Sequence, residues 1–224
     1  LNYNVTGTIV TSDTPPAEIA QECAAYGVPL VLINKPEVGS HVSNVSIDTA
    51  TAGRLAAEEL ATIGCKRIGI VSQRRASHTI GQRKAAFIAT IRALGVEIAG
   101  DFQGTVQNYG GGAEAAEAFA ESGIALDGIY CVNDFMALGF LDHFRRLSDL
   151  RIPEDIKLIA CDDIAEAAWR SYDITSVRQD PKSVADAAIA ALSRRLEEPE
   201  AAQPHVIIPV TLIRRGTTGA SDPT

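Results

Sequence analysis

Several features that mark common protein classes are scarce in this 224-residue sequence. Its four cysteines, Cys23, Cys65, Cys131 and Cys161, form no CxxC pair, so we expect buried, reduced thiols in a cytoplasmic protein rather than disulfides or a metal site. No apolar run approaches the about 20 residues of a membrane-spanning helix, and we expect no signal peptide. A net charge of −8 argues against the chain alone binding nucleic acid.

Motifs of the common enzyme classes are also missing. The sequence contains no GxxxxGK(S/T) and no GxSxG, and its four histidines lack HExxH spacing. One match to GxGxxA, at 110–115, follows a weak polar strand and is poor evidence for a dinucleotide site. The adjacent pair Ser77-His78 has no third group to form a triad. We therefore predict a protein that is not an enzyme and that uses no cofactor and no metal.

What the sequence does contain is a series of short apolar runs, each followed by one polar residue. The runs lie at 30–33, 68–71, 129–132, 157–161 and 176–178. Helical periodicity in most of the intervening segments predicts an α/β fold of parallel sheets with helices on both faces. Ligands bind at the carboxyl ends of the strands in such sheets. The candidate ligand-binding residues are therefore Asn34, Ser72, Asn133, Asp162 and Gln179.

Helix-breaking residues and hydrophobic periodicity also predict where further strands and helices begin and end. The sequence predicts a strand at 45–47, a strand near 102–107, a helix at 112–122 and a final strand at 206–213. We expect Asp163 to cap a helix at 164–170. Pro181 fits the first turn of a helix that runs to Leu196, where its missing N–H costs nothing.

Five segments carry motifs of one protein family, in the same order and with similar spacing. They are 48–70, which contains Ala52-Gly53; 133–139, Asn-Asp-Phe-Met-Ala-Leu-Gly; 151–156 with 161–164; 175–179, Thr-Ser-Val-Arg-Gln; and 209–218. Together they resemble the lactose-repressor (LacI/GalR) family of bacterial transcriptional regulators over nearly the whole chain.

The resemblance implies a two-lobed periplasmic-binding-protein-like (type I) domain with a small effector bound between its lobes. The N-terminal lobe would comprise 1–47 and 180–208 and would be truncated, and the C-terminal lobe would comprise 48–179 and 209–224. The DNA-binding head of the family is absent from this sequence, so operator DNA would be contacted only through that head. A homodimer is implied as well. A sugar-binding component of a transport system, with the same fold, is the alternative.

The resemblance adds three residues to the candidate site. Arg83 matches an arginine that reaches the effector in the family, although Ala86 stands where the family has glycine. Tyr109 and Trp169 are candidates for the aromatic that covers the ligand. The alternatives are a solvated Arg83, a capping role for Asn133 or Asp162, a Gln179 that bridges the lobes and a packed Trp169. We expect Arg74 and Arg75 to form a solvated loop, and the effector to be a sugar or related polyhydroxy compound.

Overall fold

The chain divides into two units, between which the backbone passes three times. Unit 1 consists of Leu1–Asp48 and Asp180–Pro209, and unit 2 of Thr49–Gln179 and Val210–Thr224. The computed structural model describes residues 5–11, 16–36, 39, 42–199, 201 and 205–219. Within those ranges, no helix is both long enough and apolar enough to cross a bilayer.

Strands and helices alternate through most of the chain. The strands are β1 (Thr8–Val10), β2 (Leu30–Ile33), β3 (Val42–Ile47), β4 (Arg67–Gln73), β5 (Glu97–Gly104), β6 (Gly128–Cys131), β7 (Lys157–Asp162), β8 (Thr175–Arg178), β9 (Val206–Ile208) and β10 (Thr211–Ile213). The helices are α1 (Pro16–Ala25), α2 (Thr49–Thr62), α3 (His78–Ala93), α4 (Tyr109–Ser122), α5 (Asp134–Leu147) and α6 (Pro181–Glu197).

Unit 1 is built on a parallel four-stranded sheet with the order β1-β2-β3-β9. Val31, Val45 and Ile208 from the sheet pack with Ala188 and Ala191 of α6 in a small core. As predicted, α6 begins with Pro181 in its first turn, and the Asp180 carboxylate caps it by accepting from the backbone N–H groups of Lys182 and Ser183.

Unit 2 contains the larger sheet, with the order β10-β8-β7-β6-β4-β5. Its strands are parallel except β10, which runs antiparallel to β8. The predicted α/β class with parallel sheets is confirmed. The chain leaves β4 for β5 on one side and returns to β6 on the other, so the strand order switches between β4 and β6. At such a point the connections diverge and leave a crevice at the carboxyl ends of the strands.

Two close helix contacts in unit 2 depend on glycine. A Cβ built on Gly53 of α2 would lie 2.3 Å from the Arg83 carbonyl oxygen of α3. A Cβ on Gly112 of α4 would lie 2.0 Å from the Met136 carbonyl oxygen of α5. Real Cβ atoms do not approach backbone this closely, so α2 packs on α3 and α4 on α5 only because these side chains are absent. The first contact also fixes the backbone that carries Arg83.

Several predicted element bounds are wrong. The strand predicted at 45–47 begins at Val42, and the one predicted near 102–107 is β5, which begins at Glu97 beside β4. Helix α4 begins at Tyr109 because Asn108 caps it, its Oδ1 accepting from Gly111 N at 3.1 Å.

Two further predictions are wrong, one because the chain passes between the two units at Pro209 and the other because two arginines bind the Asp163 carboxylate. The strand predicted at 206–213 splits into β9 and β10 at Pro209, since each part joins the sheet of a different unit. The helix predicted at 164–170 is a 3₁₀ turn at Ala165–Ala168, and Asp163 does not cap it. The Asp163 carboxylate instead lies 2.6 Å from Arg178 Nε and 2.7 Å from Arg215 Nη1.

Candidate functional site

Polar side chains from three elements meet at the carboxyl edge of the unit 2 sheet, with Asp162 at their centre, and Asn133 follows a strand that ends at the same edge. Arg83 Nη1 donates to Asp162 Oδ1 at 3.0 Å and to the Val132 carbonyl at 2.7 Å. The Gln179 side-chain amide donates to the same Asp162 oxygen. Asn133 follows Val132 directly. We call Arg83, Asn133, Asp162 and Gln179 the rim cluster; all four were predicted site residues.

The rim cluster holds one positive and one negative side chain at an edge of the sheet, and the two are exposed to different extents. Arg83 is 3% exposed, whereas the Asp162 side chain keeps 28% of its surface exposed. Burial raises the pKa of Asp162 and the neighbouring Arg83 opposes that rise. Among the described residues, Arg83 Nε has no hydrogen-bond partner although it is buried. An unpaired buried donor costs about 1–3 kcal/mol, so the Arg83 side chain is held in this position at a cost to stability.

The turn that presents Asp162 has an uncommon backbone. Asp162 has φ 125° and Asp163 φ 56°, in the left-handed region that non-glycine residues rarely adopt. Three sets of contacts hold the turn. Ser176 Oγ accepts from Asp163 N at 3.1 Å, Asp134 Oδ2 accepts from Ile164 N at 2.9 Å, and two arginines bind the Asp163 carboxylate. Backbone strain that is held in place by surrounding contacts is found most often at functional sites.

Asp134 is the residue that the sequence did not identify as part of this region. Asp134 is the first residue of α5, but its side chain is fully buried and Asn133 is the cap, with Oδ1 accepting from Met136 N at 3.0 Å. Asp134 Oδ1 accepts from Ser176 Oγ at 2.7 Å. Burial first, and the nearby Asp162 second, raise the pKa of Asp134 to about 7. An Asp directly after the cap, followed by the apolar stretch at 135–141, was the available signal.

Ser72 does not join the rim cluster. Its hydroxyl donates to Asp101 Oδ1 at 2.7 Å and accepts from Lys84 Nζ at 2.9 Å, and Lys84 lies 2.6 Å from Asp101 Oδ2. Because Ser72 is 1% exposed and both roles of its hydroxyl are filled, it belongs to a closed network between β4, β5 and α3.

Of the other three predicted site residues, Asn34 belongs to the other unit, and the contacts of Tyr109 and Trp169 are with residues outside the rim cluster. Asn34 is in unit 1, with a left-handed backbone, and its Oδ1 accepts from Ile47 N at 3.0 Å to join the ends of β2 and β3. Tyr109 donates to Asp142 Oδ2 at 2.8 Å, more than two turns along α5 from Asn133. Trp169 is 55% exposed beside Tyr172. The contacts of Tyr109 and Trp169 therefore do not support their prediction as a ligand cover.

The site contains no obvious metal or nucleophilic centre. Across the described ranges, no group of His, Cys, Asp and Glu side chains is arranged to hold a metal ion. Burial raises the pKa of Cys161, below the rim, to about 12, so its thiol is neutral at physiological pH. What the rim cluster offers is a carboxylate acceptor, guanidinium donors and amide groups, which are the groups that orient polar ligands through hydrogen bonds.

Comparison with known proteins identifies the family. The model of the periplasmic binding protein-like domain matches residues 57–218. An uncharacterized HTH-type transcriptional regulator from Streptomyces limosus is 30% identical over 199 residues, which are 86% of this chain and 55% of that protein. The ribose operon repressor of Escherichia coli is 23% identical over 91% of this chain and 61% of its own length. This chain thus spans little more than half of these relatives.

Solved structures agree on the fold. A LacI family regulator from Enterococcus faecalis with bound ribose has a TM-score of 0.86 at 22% identity, covering 96% of this chain and 78% of its own. The complex of the transcriptional regulator CelR with cellobiose has a TM-score of 0.85 at 24% identity, covering 96% and 66%. The relatives are regulators, which favours a regulator core over the transport alternative. The chain belongs to the periplasmic binding protein-like domain family, in the form that LacI-type transcriptional regulators use to bind effectors.

Proposed function

We propose that this chain is the sensing core of a cytoplasmic transcriptional regulator and binds a small neutral sugar or related polyhydroxy compound at the rim cluster. Binding would control operator DNA through a head that lies outside this sequence, without catalysis, cofactor or metal. The observation that carries the proposal is the convergence of Arg83, Asp162 and Gln179 at the edge where the strand order switches. Ribose and cellobiose, the ligands of two structural neighbours, are the natural first probes.

The chemistry of the rim cluster fits hydroxyl groups better than a charged ligand. A carboxylate accepts two hydroxyl hydrogen bonds, and a guanidinium donates from a rigid fork that spans neighbouring oxygens. The charges of Arg83 and Asp162 cancel within the pair, so the cluster carries no excess charge to attract an ion. Lys84 lies close by in sequence, but Asp101 neutralises it.

Calorimetric titration of a carbohydrate panel that includes ribose and cellobiose tests the proposal. Arg83→Ala and Asp162→Ala each remove a charged hydrogen-bonding group, so each should weaken the best sugar at least about tenfold, which corresponds to about 1.4 kcal/mol. Arg75→Ala is the control, because Arg75 is exposed on the loop after β4, and it should bind like the parent. Both rim variants binding as tightly as the parent would disprove the assignment.

We also propose that the chain pairs with a second copy through an aromatic face on α5. Phe135 and Asp142 are seven residues apart and share one side of the helix. Tyr109 and Tyr172 both donate to Asp142, and Arg145 lies 5.8 Å from the centre of the Tyr172 ring. Three large aromatics of this face are exposed: Tyr109 by 43%, Phe135 by 46% and Trp169 by 55%. The face carries both an acidic residue, Asp142, and a basic one, Arg145. A two-fold axis can therefore bring the acidic residue of one copy near the basic residue of the other.

Sedimentation velocity tests the dimer. Phe135→Glu puts a charge at the centre of the aromatic face and should convert a dimeric parent to monomer. Tyr26→Glu changes an aromatic that is 79% exposed in unit 1 and should leave the dimer intact. A parent that stays monomeric at high concentration, or a Phe135→Glu variant that stays dimeric, would contradict this assignment.

A further inference from the structure

Asp134 holds the turn that presents Asp162 through a directed chain of hydrogen bonds. The Asp163 N–H donates to Ser176 Oγ, and the Ser176 hydroxyl donates to Asp134 Oδ1. The second carboxylate oxygen accepts from Ile164 N. Asp134 makes these contacts from inside the protein, since its side chain is fully buried. It therefore restrains both residues that follow Asp162 without contacting the exposed edge.

We propose that Asp134 is a positioning residue whose protonation loosens the Asp162 turn, so that recognition at the rim cluster is linked to pH. This inference rests on the proposed function for its ligand but not for its mechanism. The ionised carboxylate accepts at both oxygens. A proton on Oδ2 would face the Ile164 N–H, and a proton on Oδ1 would force the Ser176 hydroxyl to turn from donor to acceptor. In either case hydrogen bonds to an ionised carboxylate are replaced by weaker ones to a neutral acid, so the anchor of the Asp162 turn weakens.

The surroundings of Asp134 make it the group that titrates near neutral pH. The titratable and charged groups around it are Cys131 on β6, Cys161, Asp162 and Asp163 on β7, Arg178 on β8, Arg83 on α3 and Arg215 after β10. Burial raises the pKa of both thiols, so they stay neutral. The arginines stay charged. The pKa of Asp134 near 7 places its proton within the physiological range.

The sign of the coupling follows from Asp162. Its negative charge is the second cause, after burial, of the raised pKa of Asp134. Sugar hydroxyls that donate to Asp162 would lower the negative potential at Asp134 and favour loss of its proton. Ligand binding and ionisation of Asp134 should therefore support each other, so that affinity falls as the pH drops below about 7 and binding releases part of a proton.

The positioning role is tested first without any ligand, by amide NMR of the chain from about pH 5 to about pH 8. The Asp163 and Ile164 amides should shift with a common midpoint near 7 in the parent and show no such transition in Asp134→Asn. Ser176→Ala keeps the carboxylate and should remove the response of Asp163 while that of Ile164 remains. Asp127→Asn, which changes another carboxylate that accepts from two backbone N–H groups, should titrate like the parent. Amides that do not respond in the parent would overturn the proposal.

The link to recognition is tested with ribose and cellobiose. The sugar that binds is titrated calorimetrically at about pH 7 in two buffers with different heats of ionisation. Binding should release protons in the parent and in Asp127→Asn, and it should release none in Asp134→Asn. Tight binding without proton release in the parent would overturn the linkage. If neither sugar binds at any pH, the choice of ligand in the proposed function fails, whereas the amide titration still decides whether Asp134 controls the turn.

Discussion

At the scale of single residues, burial of Asp134 makes the stability of the fold depend on pH and lowers that stability above about pH 7, where the carboxylate is charged. Its pKa rises from 3.8 in the unfolded chain to about 7 in the fold, so the folded state holds the proton more tightly. A raised pKa contributes stability that is complete at acidic pH and is lost as the pH rises through about 7. The difference is on the order of 4 kcal/mol.

Urea denaturation at several pH values, followed by fluorescence of the single tryptophan, Trp169, measures this contribution in unit 2. The stability of the parent relative to Asp134→Asn should fall between about pH 4 and about pH 7, because the amide cannot ionise. A stability difference that does not change with pH would show that Asp134 titrates normally.

The sequence predicted which residues at strand ends lie together at the rim. It did not predict the contacts of residues whose partners are distant in sequence. Arg83, Asp162 and Gln179 lie together as expected from the strand pattern and the resemblance. Ser72 also follows a strand, but Lys84 and Asp101 occupy its hydroxyl. That pairing depends on which strands are neighbours and on side-chain direction, neither of which a single run of residues reveals.

At the scale of elements, close helix packing limits what the chain tolerates. Gly112→Ala would place a Cβ against the Met136 carbonyl of α5, and backbone cannot move aside as a flexible side chain can. We expect a loss of about 3 kcal/mol in the free energy of unfolding, at the upper end for overpacked sites. Gly110→Ala in the same helix is the control, since its nearest neighbour would be Asn108 Oδ1 at 3.4 Å, and it should be neutral or slightly stabilising. Equal stability of the two variants, measured by urea denaturation, would contradict this account of α4.

Element type was easier to predict than element ends for a physical reason. Buried strands such as β6 are apolar along their whole length because helices cover the sheet, and this signal is local. The start of β5 at Glu97 depends on pairing with β4, and the break at Pro209 depends on the sheet that each half joins. Both are set by tertiary contacts that the periodicity of the sequence does not contain.

At the scale of the whole molecule, our proposal assigns sensing and DNA binding to different parts of the regulator. The chain carries a net charge of −8 and spans little more than half the length of the regulators it resembles. Acidic chains repel the phosphate backbone, so in our proposal the DNA contacts belong to the part of the protein outside this sequence. The carboxyl edge of the unit 2 sheet supplies polar groups, held by the buried Asp134 carboxylate, that suit a neutral ligand.

The most direct test of the central claim is to map a bound sugar on the amide spectrum of the chain. Saturating ribose or cellobiose should shift the amides of Asn133, Asp162, Asp163 and Gln179, which surround the rim cluster, and leave the loop at 148–154 unchanged. The account is contradicted if the sugar binds but the largest shifts lie at Tyr109 and Trp169, or in the 148–154 loop, while the rim amides keep their positions.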